Sequence, residues 1–377
     1  MARNRWTFMV ALMMVLAMVA AACSSDDGGD DTTTTEAAGG DETTTTEAMD
    51  EAEEFKVAFV HVGPTEDKGW SWAHDQGAQY LEANMPGAVI TTLESIPEGP
   101  DSQRVFEDLA ADGNVLIFGT SFGYMDPMLA AADNFPDVAF LHATGYKTGP
   151  NMGNYFGAAE EGRYLSGMSA GARSESGKIG YVAAFPIPEV LRGINAFTLG
   201  VREMNPEATV QVVWTSTWFD PPTEGDAAQA LLDAGADVIA MHQDSSAPGQ
   251  AAEAAGAGWV GYNTDMSEFA PEGWLTAAIW DWGPYYLTTA EAVKAGTWAP
   301  EAYYGNMADG MVDIAPLGPS VTDETAALIE TRKGEIIAGT FSVLPDPIVN
   351  QAGNEQPLGD IFSMDYFVEG VIGSPTG

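Results

Sequence analysis

The sequence predicts an α/β protein of two domains, each a parallel sheet with helices on both faces. Short continuous apolar runs alternate with longer amphipathic stretches, which is how strands buried on both faces and their covering helices read. The alternation begins near Phe55 and restarts at Lys178, giving two series of similar length and hence two α/β units. From Phe55 onward no apolar stretch is long enough to span a bilayer.

Residues 56–62 read as a strand, 72–82 as a helix, 88–96 as a strand and 101–111 as a helix. A short buried strand at 115–118 ends at Gly119, a helix covers 126–134, and 138–142 is the next strand. Asn154-Tyr155-Phe156 then leads into a long helix over 160–173. The second series runs strand 178–184, helix 188–204, strand 209–214, helix 225–234, strand 237–241, helix 248–255 and strand 259–262, and a later strand ends in Trp280. Residues 346–377 show few periodic signals and form a C-terminal tail without an assigned role.

The residues before the first strand have a different composition. Arg3 and Arg5 give a positive start, residues 8–19 an apolar run, and Ala20-Ala21-Ala22 small residues in front of Cys23, the one cysteine of the chain. This reads as a secretory signal peptide over residues 1–22. A cysteine directly after small residues resembles a bacterial lipobox, in which the thiol is lipidated and the preceding peptide removed. Ala20 departs from that pattern, standing where Leu is commoner. A cleaved signal with an incidental Cys and a single membrane span are the competing readings, and the run is short for a span. Residues 24–54 hold no Lys or Arg and are rich in Thr, Gly and acids. Such a segment cannot bury enough surface to offset its ordering entropy, so residues 23–54 are expected to be a lipidated Cys followed by a disordered acidic tether.

From Phe55 to Gly377 the chain carries 12 Lys+Arg against 43 Asp+Glu, a net charge of −31. That excess argues against nucleic acid or an anionic membrane surface as a partner, and points to a salty habitat. The same residues contain no cysteine, which excludes disulfides and thiol catalysis there.

Open parallel sheets gather their chemistry in the loops after the strands. Here those loops are rich in aromatics and acids: Asp67 and Trp70 after the first strand, Ser121 and Phe122 after the third, Trp218-Phe219-Asp220, Asp244 and Asp265 in the second series, and Asp281-Trp282 after Trp280. Aromatics stack on flat rings, and carboxylates accept hydrogen bonds from ring N–H and amino groups. Together they suit a neutral planar heterocycle. Basic residues are nearly absent from these loops and no Gly-rich phosphate loop appears, which disfavours a phosphorylated ligand.

Several runs carry a family resemblance. Gly69-Trp70 with Asp75-Gln76-Gly77, the run Thr120 to Pro127, Phe140 to Lys147, Glu161-Gly162-Arg163-Tyr164, Gly193 to Gly200, Thr217 to Pro221 and Trp282 to Tyr286 resemble the basic membrane protein (BMP) family of transporter-associated lipoproteins, which includes the purine nucleoside receptors. The resemblance covers residues 55–344. It implies a type I periplasmic-binding-protein fold: two Rossmann-like lobes, chains crossing at a hinge, and closure on a ligand between the lobes. The expected lobes are 55–156 plus 283–311 and 157–282 plus 312–345. By position in the family's pattern, Asp67 and Trp70 match an Asp–aromatic pair, Ser121 and Phe122 a Gly–aromatic loop, Phe219 and Asp220 a Phe–Asp pair, and Asp265 a late Asp. A Lys expected to hold a sugar is missing, and Asp281 and Trp282 occupy its region. That departure favours a bare purine base, adenine-like, over a nucleoside.

Each residue also has a plainer role open to it. Asp67 and Asp220 stand before helices and can cap them. Of Trp218 and Phe219, neighbours on extended chain, one faces away from any cleft. Phe122 and Trp282 can be lobe packing, Glu161 and Arg163 a structural pair, and His61, His142 and His242 satisfied core histidines. The expected function is a solute-binding lipoprotein of an ABC importer, on the extracytoplasmic face of the cell membrane, working as a monomer with a membrane permease and needing no cofactor or metal. An exported nucleoside- or base-processing enzyme is the competing class, but the loops offer no convincing triad, metal cluster or nucleophile elbow. Within binding, a nucleoside or another small solute is the runner-up.

Overall fold

A computed structural model describes residues 54–377. Cys23 and the signal and tether expected before Glu54 lie outside the described residues.

The first series folds as β1 (Phe55–Val60), α1 (Trp70–Asn84), β2 (Ala88–Leu93), α2 (Asp101–Ala111), β3 (Leu116–Gly119), α3 (Met125–Asn134), β4 (Ala139–Ala143) and β5 (Met152–Gly157). The chain then enters the second lobe with α4 (Ala159–Arg173), β6 (Lys178–Ala183), α5 (Pro188–Met204), β7 (Thr209–Trp214), α6 (Pro221–Asp233), β8 (Val238–His242), α7 (Ala247–Ala255), β9 (Gly258–Asn263) and β10 (Trp274–Trp280). It returns to the first lobe for α8 (Gly283–Lys294) and β11 (Ala302–Gly305). It crosses once more for β12 (Val312–Ile314) and α9 (Asp323–Ile337). A small hairpin of β13 (Ile348–Val349) and β14 (Glu355–Gln356) precedes β15 (Val371–Ile372) near the C-terminus.

Two sheets result, in the orders β11-β5-β4-β3-β1-β2 and β12-β10-β9-β8-β6-β7-β15. Every neighbour pair in the first is parallel, and in the second only β12 runs antiparallel. The parallel order explains why the strand runs are apolar on both sides. Val57 and Phe59 pack under α1 and α8, while Ala58 and Val60 face the side covered by α2 and α3.

In the second lobe α4 lies against α5 at a distance only glycine permits. A Cβ on Gly167 would stand 2.1 Å from the carbonyl oxygen of Phe197, and one on Gly200 2.0 Å from that of Tyr164. The backbones touch there, and either substitution would drive the helices apart.

The tail, silent in the sequence, is part of this lobe. Met364, Phe367, Val368 and Val371 join Tyr181, Leu191 and Ile194 in its core. Val371 pairs with Val210 at the sheet edge. Buried Asn195 on α5 donates to the carbonyl of Tyr366 at 2.9 Å and accepts from the Val368 N–H at 3.0 Å. The tail's strands are two residues long and its buried side chains are separated by turns, so no periodicity marks them.

Candidate functional site

The C-terminal ends of β1, β3 and β4 in one lobe face those of β6, β8 and β9 in the other. The lobes meet there. The Thr264 hydroxyl donates to the Lys68 carbonyl. Gly69 lies so close to Asp244 that a Cβ on it would be 2.4 Å from the Asp244 carbonyl oxygen. Backbone strain collects in the same loops: Lys68 (φ 64°), Thr144 (φ 69°), Ser216 (φ 57°) and Asn263 (φ 72°) all adopt the left-handed region. For β-branched Thr144 this is costly and persists only because the surroundings enforce it.

A cavity lies in this seam. The first lobe lines it with Val62, Trp70, Ser121, Phe122 and Thr144, the second with Glu189, Trp218, His242, Asp244 and Tyr262. It holds about 340 Å³ of non-atom space with its mouth included, of which about 20 Å³ admits the centre of a water molecule. A larger recess, of about 980 Å³ by the same measure of non-atom space, opens at the far end of the first sheet, around Phe55, Val115 and Lys294. It sits at the N-terminal strand ends and none of its lining residues carries a buried unpaired side-chain polar atom, so the seam is the better candidate.

The first-lobe wall is held from behind. The Trp70 indole N–H donates to the Thr120 carbonyl at 2.6 Å, and the ring packs edge-on against His74 and Trp282. The Ser121 hydroxyl donates to Glu98 at 2.5 Å. Behind the wall, the Asp67 carboxylate accepts the N–H groups of Gly69 (2.7 Å), Ser71 (3.0 Å) and Trp72 (3.0 Å), which fastens the start of α1. Burial nevertheless pushes its pKa up to about 6.

On the second-lobe wall, Phe185 packs edge-on against Trp218 at 4.9 Å between ring centres. Tyr262 stands 4.4 Å from His242, with the fully buried Arg163 guanidinium stacked 3.5 Å over its ring. Asp244 accepts from Asn263 at 3.1 Å. Its pKa lies well above the carboxylate range, first through burial and then through the charges of Asp67 and Glu224. Burial also pushes Glu189 up to about 7 and holds His242 well below its ordinary value. The buried side-chain atoms Glu189 Oε2, Trp218 Nε1, His242 Nδ1 and Thr144 Oγ1 have no hydrogen-bond partner in the protein. The arrangement is an aromatic slot with little net charge, edged by unpaired donors and acceptors. It can stack a flat neutral ring and bond its edges. Among the described residues no group of three or more His, Cys, Asp or Glu side chains is gathered as metal ligands.

Of the residues expected from sequence, Trp70, Ser121, Phe122, Trp218 and Asp244 line the cavity, and Asp67 stands behind them. Asp220 caps α6, accepting from the Thr223 N–H at 3.2 Å, and Phe219 is half-buried off the wall. Asp265 is exposed and accepts from the Ser267 N–H at 3.0 Å. Asp281 is exposed beside a separate recess with Pro284 and Tyr285. Trp282 is buried in the first lobe, stacked 4.5 Å from His74 and 4.7 Å from Trp280. Glu189, Tyr262, His242 and Thr144 were not anticipated on the wall. Glu189 follows Pro188 at a helix start, where an acid reads as a cap. His242 and Tyr262 sit within strands and read as core, yet the Nδ1 of His242 is unpaired. Thr144 lies in the run Phe140 to Lys147 and directly after β4, but nothing in its residue type singled it out.

The model of the ABC transporter substrate-binding protein PnrA-like (Bmp) family matches residues 55–344. A purine-binding protein of Brucella abortus is 42% identical over 86% of this chain and 95% of its own length. A putative ABC transporter glucose-binding protein of Haloferax volcanii is 44% identical over 86% of this chain and 82% of its own. Among solved structures, an ABC transporter solute-binding protein of Conexibacter woesei superimposes with a TM-score of 0.61 at 26% identity, covering 77% of this chain and 98% of that one.

Proposed function

The chain belongs to the PnrA-like family of ABC transporter substrate-binding proteins, and from that premise we propose that it captures a bare purine base, adenine-like, by closing its two lobes around the ring. One observation carries this reading. Aromatic side chains from both lobes, Trp70 and Phe122 with Trp218 and Tyr262, border a small cavity where Thr144, Glu189, Trp218 and His242 each keep an unpaired polar atom and whose acids lean towards their neutral forms. A purine offers two flat faces to the rings and an edge of N–H donors and nitrogen acceptors to the unpaired atoms. The name of the Brucella relative agrees with this chemistry.

Closure brings Lys68 against Thr264 and Gly69 against Asp244, and the closed form is what a membrane permease recognises. A lipid on Cys23 holds the protein, a monomer, on the extracytoplasmic face. Mass spectrometry of the mature N-terminus tests this: an unmodified start removes the anchor and leaves the binding reading standing.

A hexose is the second reading. The Haloferax relative's name favours it, and a Trp face with acidic acceptors also suits a pyranose. Calorimetry with adenine, guanine, hypoxanthine, adenosine and glucose decides between them. Adenine binding at micromolar affinity or tighter, about −8 kcal/mol, is expected. Tight binding of glucose or adenosine without binding of any base overturns the purine reading.

A further inference from the structure

We propose that Glu189 accepts an N–H of the bound ring and is the residue that restricts the cleft to ligands presenting a donor there. This rests on the purine reading above. Glu189 opens α5 directly after Pro188, on the floor of the second-lobe wall. Its Oε2 is buried and no donor of the protein reaches it.

The groups around it are otherwise engaged. Arg192, one turn further along α5, is paired with Glu160 at 3.3 Å. Glu98, facing it from the first lobe, accepts from the Ser121 hydroxyl at 2.5 Å and the Gly123 N–H at 2.7 Å. His242, Asp244 and Tyr262 share the wall, and burial keeps the His242 imidazole neutral. A buried acceptor without a donor is costly, and a ligand that brings the donor removes that cost. A site built this way rejects an analogue lacking the donor far more strongly than an apolar slot rejects a missing methyl group.

A pH signature follows. Burial raises the Glu189 carboxyl to about 7, with Arg192 opposing the rise and Glu98 adding to it. An incoming N–H favours the ionised form, so the complex has the lower pKa. Binding near neutral pH then releases a proton, and affinity rises as pH rises from 6 to 8.

The test is calorimetry on the native protein and on Glu189→Gln, with adenine at pH 6 and pH 8. 9-Methyladenine and N6,N6-dimethyladenine are run on the native protein, and melting curves check both proteins. The native protein is expected to bind adenine up to about tenfold tighter at pH 8 than at pH 6. Glu189→Gln is expected to bind about 10- to 100-fold more weakly at pH 8, with the pH dependence flattened. One of the methylated bases is expected to flatten the dependence on the native protein, an outcome a steric clash alone does not produce and one that needs no variant to fold. Equal affinity of native and variant at both pH values, or a pH slope that survives in Glu189→Gln and with both analogues, overturns the assignment alone. No adenine binding by the native protein overturns the purine reading and this assignment with it.

Discussion

The two walls of the cleft are built on opposite plans. On the first lobe, Trp70 is bonded to Thr120, Ser121 to Glu98, and Asp67 behind them to three amides of α1. On the second, Glu189, Trp218 and His242 each keep a buried polar atom without a partner. Among the first-lobe residues that line the cavity, Thr144 alone keeps such an atom. A wall whose hydrogen bonds are already made presents a fixed apolar face and treats all flat rings alike. A wall with unmade bonds is completed by the ligand and discriminates among ligands by what they supply. Affinity from one lobe and selectivity from the other is the division this asymmetry predicts.

The bluntest way to break the comparison is to keep the walls apart. Gly69→Ala places a methyl group into the Asp244 backbone, and overpacking of this kind costs about 1–3 kcal/mol. Binding of every ligand should fall by up to about 100-fold while the melting temperature of the free protein holds, as calorimetry and thermal melts would show. Unchanged affinity means the seam is not part of the bound state.

Trp70→Ala comes next. Loss of one stacked ring should weaken adenine by about 1–3 kcal/mol, and weaken other purines by the same factor. A change in rank order among purines would move selectivity to the first lobe. Trp218→Phe keeps an aromatic face but deletes the unpaired donor along with part of the ring, so it should cost about 1 kcal/mol or more and reorder the preferences among adenine, hypoxanthine and guanine. A uniform loss across all three contradicts the assigned role of the second lobe.

The smallest effect concerns protons. Asp67 has its pKa raised to about 6 by burial in the folded protein, and burial also raises Asp244 well above its ordinary value. A carboxyl raised in this way adds stability that is complete below its unfolded value and is lost as pH climbs through the folded one. The free protein should therefore melt a few °C higher at pH 5 than at pH 7.5. Asp244→Asn should narrow that difference. An unaltered difference would assign it to the general acidity of the surface.

Much of the fold was legible because parallel strands buried on both faces leave unbroken apolar runs. The helices 101–111 and 188–204 and the strand 209–214 fall on the expected residues. The return to the first lobe through α8 and β11, the crossing to β12, α9 and the tail were not read element by element. Their strands are two to four residues long and depend on partners distant in sequence. The site divides on similar grounds. Trp70, Ser121, Phe122, Trp218 and Asp244 followed from the rule that strand ends carry function. Residue type alone does not separate an acid that caps, such as Asp220, from one that faces a cavity, such as Glu189. The difference is whether a backbone N–H lies within reach of the carboxylate, and only the folded chain decides that. Asp265, spent on its own turn, shows the same ambiguity resolved the other way.

The strand orders have a consequence for how the molecule is made. One edge of the first sheet is β11, which follows β6 to β10 of the second sheet in the chain, and one edge of the second sheet is β15, which comes after every strand of the first. The first sheet waits for β11 and the second for β15, so neither is finished when the strands of its own main series have been made. By the same logic, cutting the gene at Trp280 yields no self-sufficient half, since each lobe is stitched from pieces on both sides of that cut.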